Sequence, residues 1–125
     1  MQQIAIISEN LIFTKVLDAH LKRKLPEYLI TRFSSFSAIE EKIRSSAFEM
    51  IMVDGVISGM ASFEIINYLR LTKKVICPIC FFSDAPNDFF KIIANKKGIN
   101  YHYRKPFDAN RVTNEIAAYL VPGQN

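Results

Sequence analysis

Asp54 closes the apolar run 50–53, with Gly55 directly behind it, where an α/β protein would hold a carboxylate at the carboxyl edge of a central strand. Glu9, Ser83 and Lys105 each follow another short apolar or aromatic segment, so in a parallel sheet all four fall at one edge. Two carboxylates near one point repel unless a cation or proton intervenes. Oxygen ligands of this kind suit Mg2+, with waters completing its octahedral shell. Lys105 adds a cation of its own and Ser83 a neutral hydroxyl, a set able to neutralise and orient a phosphoryl group. Asp54 can also be the nucleophile, forming an aspartyl phosphate whose labile bond serves a switch rather than a store. Each residue alone has a plainer reading, since strands end in polar turns.

The elements that would position these residues alternate along the chain. Residues 4–7 (IAII) read as a strand, and from Leu11 the pattern turns helical, with Ile12 or Phe13, Val16, Leu17 and Leu21 inward and Lys15, Asp18 and Lys22 facing water. Pro26 blocks continuation, and residues 28–33 form a second strand. Ser37 with Glu40 resembles a capping box for a helix carrying Phe36, Ile39 and Ile43. Residues 48–53 suit a strand buried on both faces. A third helix over 60–71 directs Phe63, Ile66 and Leu69 inward. The fourth strand is safest at 79–82, because Pro78 lacks a donor. Asp84, Pro86 and Asn87 lead into a fourth helix bearing Phe89, Ile92 and Ile93, released at Gly98. Residues 101–104 form the fifth strand, Asp108 caps the last helix with Val112, Ile116, Tyr119 and Leu120 on one side, and Pro122 and Gly123 end it. This order implies right-handed crossovers and a mainly parallel sheet between helices.

Composition narrows the function classes. A chain of 125 residues, half of them hydrophobic, is one domain over 1–125 with a packed core and little room for a second module. No stretch approaches the roughly 18 apolar residues of a membrane span, and no secretory leader is legible, so no membrane association and a cytoplasmic location are expected. Cys77 and Cys80 have CxxC spacing, but their neighbours are apolar and no second pair completes a zinc site; buried or half-buried thiols are expected. His20 and His102 are too scattered for a metal cluster. The net charge of +4 is spread over small basic groups that mostly solvate faces.

With these segments in order, IAIISEN, IMVDG, PICFFSD and the Lys105-Pro106-Phe107 triplet, the chain resembles the receiver domain of bacterial two-component response regulators over essentially its whole length. The resemblance implies a flavodoxin-like α/β fold, a five-stranded parallel sheet in the order 2-1-3-4-5 flanked by five helices. It further implies that Asp54 accepts a phosphoryl group from a histidine kinase or histidine phosphotransfer protein. Glu9, Asp54 and the Val56 carbonyl would hold Mg2+, Ser83 would be the switch hydroxyl, Lys105 the phosphate-contacting amine, and His102 would stand at the aromatic switch position. The Lys105–Pro106 peptide is often cis in this family.

Several positions depart from the family pattern. Ser8 stands where one of two acids is common, which should weaken the metal site. Ser58 stands where Pro is usual and Ser62 where Gly is frequent. Asp84 follows the switch hydroxyl in place of a small residue, and either crowds the pocket or turns outward. Val56 and Ala85, both apolar, would flank the attacking water, which implies slow self-dephosphorylation. With no DNA-binding segment after Leu120, output is expected through a downstream protein partner or a homodimer and not through direct nucleic-acid contact. Lys91, Lys96, Lys97, Arg104 and Arg111 would make the partner surface basic. The alternative is a divergent pseudo-receiver that binds a partner without phosphorylation, motivated by Ser8, Asp84 and His102. A metal-dependent phosphatase or nuclease lacks a cap and a second nucleophile here, and a flavodoxin-type cofactor protein lacks a Gly-rich phosphate loop.

Overall fold

Five strands, β1 (Gln3–Ile7), β2 (Leu29–Phe33), β3 (Met50–Asp54), β4 (Ile79–Ser83) and β5 (Tyr101–Arg104), form one sheet in the order β2-β1-β3-β4-β5. Every neighbouring pair is parallel, so all five carboxyl ends lie at the same edge. The structure is a computed structural model describing residues 2–44, 47–60, 63–84 and 98–121. The expected fourth helix with Phe89, Ile92 and Ile93, together with Ser62, Ala85, Lys91, Lys96, Lys97, Pro122 and Gly123, lies outside the described residues.

Side chains alternate across a strand, and here both faces are covered. Ala5, Ile7, Ile51, Val53, Ile79 and Phe81 pack on one side against α2 (Phe36–Lys42) and α3 (Glu64–Asn67). Ile4, Ile6, Met50, Met52, Cys80 and Phe82 pack on the other against α1 (Leu11–Lys24) and α4 (Ala109–Leu120). The continuous apolar runs in β1, β3 and β4 are the signature of this double burial. Cys77 and Cys80 belong to opposite faces and are both free thiols. Burial pushes Cys77 up to about 11 and raises Cys80 well above the ordinary thiol value, which keeps both thiols protonated and unreactive.

Four local expectations are corrected. In α1 the buried set is Phe13, Thr14, Leu17, Asp18 and Leu21, whereas Ile12 and Val16 are exposed. Contact with both the sheet and α4 rotates the inward stripe, and Asp18 is compensated by Lys22 at 3.2 Å and Arg32 at 3.8 Å. The cap of α2 is Ser35, whose hydroxyl accepts from the Ala38 N–H at 3.3 Å, leaving Ser37 inside the helix. The third helix begins at Glu64 and continues from Tyr68 to Thr72 as a π-helical segment closed by Lys73 N–H on the Tyr68 carbonyl at 3.0 Å. On α4, Val112 and Ile116 are buried with Thr113, while Tyr119 is exposed on the flank with its ring against Tyr101.

Arg70, on the π-helical segment, ties this region to β5. Its guanidinium donates to the carbonyls of Val75, Cys77 and Gly98 and to Asn100 Oδ1 at 2.8–3.0 Å. Gly98 has φ of +75°, and a Cβ there would meet Arg70 Nε at 2.9 Å, so both backbone and space call for glycine.

Candidate functional site

Strand parity brings the first two functional side chains together. Ser8 continues the face of Ile4 and Ile6, and Asp54 that of Met50 and Met52, on adjacent strands. The Ser8 hydroxyl donates to Asp54 Oδ2 at 2.7 Å and accepts from the Asn10 N–H at 2.9 Å, which fixes the direction of its proton. Asn10 also caps α1, its side chain accepting from the Phe13 N–H at 3.1 Å. The tip of β1, the start of α1 and the carboxylate of β3 are therefore one hydrogen-bonded unit.

Lys105 arrives from the end of β5, where its peptide to Pro106 is cis, as is frequent in the family it resembles. Its Nζ pairs with Asp54 Oδ1 and lies 5.2 Å from the centre of the Phe13 ring. Phe13, Phe82 and Phe107 pack edge-to-face or tilted beneath it, an apolar floor that steers the ammonium toward the carboxylate. Gly55 follows Asp54 because the chain passes close to β4: a Cβ there would sit 2.9 Å from the Phe82 carbonyl oxygen. The Val56 N–H turns back to Asp54 Oδ1 at 3.3 Å. With both oxygens engaged, Asp54 is only 2% exposed. A groove of about 390 Å³ at this edge is lined by Ser8, Glu9, Lys15 and Arg32, among others, and not by Asp54.

Glu9 turns toward the loop after β3. Its Oε1 accepts from the Ser58 N–H at 2.8 Å and the Ser58 hydroxyl at 2.9 Å. A proline at position 58 would have no N–H to give, so the Ser58 departure and the orientation of Glu9 are physically linked. Ser83 leaves β4 on the Phe81 face, and its hydroxyl is 3.0 Å from His102 Nε2, on the neighbouring strand. Burial lowers the basicity of the half-buried His102. Asp84 is exposed. The side chain of Val56 is 64% exposed.

The expected quartet is thus divided. Asp54 and Lys105 meet directly, Ser83 pairs with His102, and Glu9 serves the loop. Ser8 was expected only as a missing acid, yet its position one strand step beyond Ile6 on the Asp54 face was the available signal. Ser58, Asn10 and Phe13 were missed as parts of the site. The donor set suits Mg2+ poorly as arranged: Ser8 and Lys105 occupy the Asp54 oxygens, Glu9 is held by Ser58, and the described residues contain no group of three or more His, Cys, Asp or Glu able to hold a metal.

No protein-family model and no curated protein matches the chain by sequence. Solved structures match it in shape along its length. The signal receiver domain of a DNA-binding response regulator from Colwellia psychrerythraea aligns with a TM-score of 0.82 at 17% identity, covering 96% of this chain and 98% of that one. A two-component response regulator from Clostridium difficile aligns at 0.80 and 18% identity, covering 100% of both. The beryllofluoride-activated NtrC4 receiver domain dimer, solved in solution, aligns at 0.77 and 18% identity over 96% of each chain. At such identities the likeness speaks for architecture: the chain has the fold of the response regulator receiver domains.

Proposed function

We propose that this chain is a receiver module of a two-component relay in which Asp54 accepts a phosphoryl group from the phosphohistidine of a kinase or phosphotransfer protein. The observation that carries this reading is the Lys105 ammonium set against the Asp54 carboxylate at the carboxyl edge of a receiver-type sheet. A carboxylate oxygen forms the new P–O bond as the donor's P–N bond breaks, and the departing imidazole keeps the electron pair and takes a proton from solvent. Lys105 and the Val56 N–H already face Asp54 Oδ1 and would offset charge on the phosphoryl oxygens. Ser83 would reach the new oxygens by leaving His102, which couples the site to β5. Water would return the carboxylate and release phosphate, slowly, because the side chain of Val56 offers that water no hydrogen bond. Mg2+ is the cofactor such transfers ordinarily use. Glu9, Asp54 and the Val56 carbonyl would hold it only if Glu9 left Ser58, and no step above depends on it.

The output would be a changed surface presented to a downstream protein or a second copy of the chain; the NtrC4 relative is described as an activated dimer. Of the basic residues expected on that surface, Arg104 and Arg111 are exposed, and the three lysines lie outside the described residues. Among the described residues no helix is long and apolar enough to cross a membrane.

A second reading, a module that binds its partner without phosphorylation, is favoured by one observation: Asp54 is closed off, with both oxygens engaged. Incubation with acetyl phosphate, with and without Mg2+, followed by intact-mass measurement separates the two. One added phosphate that disappears in Asp54→Ala supports the relay. No adduct together with unchanged partner affinity supports the second reading.

A further inference from the structure

We infer that the Asp54 pocket is built to hold its carboxylate without a divalent cation, the Ser8 hydroxyl and Lys105 ammonium standing where a cation would, and Glu9 acting as a positioning residue for the loop after β3. The functional meaning rests on Asp54 being the phosphoryl acceptor. The cation question does not, and it is tested without any phosphoryl donor.

Four observations converge. The Ser8 proton is committed to Asp54 Oδ2, because the Asn10 N–H occupies the Ser8 oxygen from the other side. Lys105 places a full positive charge on Oδ1, where an incoming dication would meet repulsion as well as a taken lone pair. Glu9 is gripped by two Ser58 donors, one of them a backbone N–H that a proline would lack. Asp84, another acid at this edge, is exposed. Mg2+ dehydrates reluctantly and is held through carboxylate charge, so a pocket whose one buried carboxylate is already neutralised offers little to replace the ion's waters. What the pocket gains is a carboxylate kept in one orientation by a fixed hydroxyl, with the loop carrying Val56 fastened at Ser58.

The test is a titration of the isotope-labelled protein with Mn2+, a paramagnetic stand-in for Mg2+, followed through amide line broadening. The wild type should show no broadening confined to residues 8–9 and 54–56 at millimolar Mn2+. Ser8→Asp combined with Ser58→Pro should create such broadening, with a Kd at least about tenfold lower than any wild-type value, since affinity follows ligand charge. Asp54→Asn in that background should abolish it. Ser8→Asp alone provides the readout if the double variant does not fold. Saturable broadening of those residues in the wild type below millimolar Mn2+ would overturn the inference. So would a folded Ser8→Asp variant as silent as the wild type, because the lack of binding would then not trace to Ser8. Phosphorylation of Asp54 can succeed or fail under either outcome.

Discussion

The contact between Ser8 and Asp54 sets a hydroxyl against a buried carboxylate, and its removal has a measurable cost. Ser8→Ala leaves Oδ2 without its donor and the Asn10 N–H without its acceptor. Hydrogen bonds to charged groups contribute about 1.5–3 kcal/mol, so urea unfolding should show a loss in that range; a change within about 0.5 kcal/mol would mean that water replaces the hydroxyl. His102 gives a pH signature. Burial holds its basicity below the ordinary 6.5, so the folded state favours the neutral ring. As pH falls through about 6.5 the unfolded chain takes up the proton first, and stability present above that pH is lost as it drops toward the folded-state value. His102→Gln should flatten this part of the stability profile as pH falls below the ordinary 6.5, and an unchanged slope would remove His102 as its source. Asp54 and Lys105 were legible as a pair because each closes a strand. Glu9 was not, because past the strand end the loop decides where a side chain turns, and here Ser58 supplied two donors.

The strands were readable for a physical reason: β1, β3 and β4 are buried on both faces, and an apolar run of only four or so residues between polar turns is too short for a buried helix. The helices were less so. In α1 two overlapping stripes, Ile12 with Val16 and Phe13 with Leu17, compete in the sequence, and packing against α4 selects the second. The π-helical segment at Tyr68–Thr72 left no sequence signal, since its wide turn follows from how Arg70 and Leu69 seat against neighbouring segments. Arg70 is the clearest structural dependence at this scale. Arg70→Met keeps much of the apolar stem but strands the carbonyls of Val75, Cys77 and Gly98, and should cost about 2–3 kcal/mol in urea unfolding. A loss below about 0.5 kcal/mol would show that solvent satisfies those carbonyls instead.

For the molecule as a whole, five parallel strands deliver the candidate residues to one edge, and the described departures Ser8, Ser58 and Asp84 follow strand ends at that same edge. Ser8, Ser58 and His102 are coupled by hydrogen bonds to Asp54, Glu9 and Ser83 respectively, so these three departures each come with a partner. The pattern was readable as a receiver from segment order; the closure of the carboxylate was not, because it depends on hydrogen-bond directions no motif encodes. The most direct test of the relay uses a phosphohistidine donor, borohydride reduction of any acyl phosphate, and peptide mapping by mass. Homoserine is expected at position 54, formed from the reduced aspartyl phosphate, and none without donor. An unmodified Asp54 after exposure to a donor that phosphorylates another receiver in the same tube would contradict it.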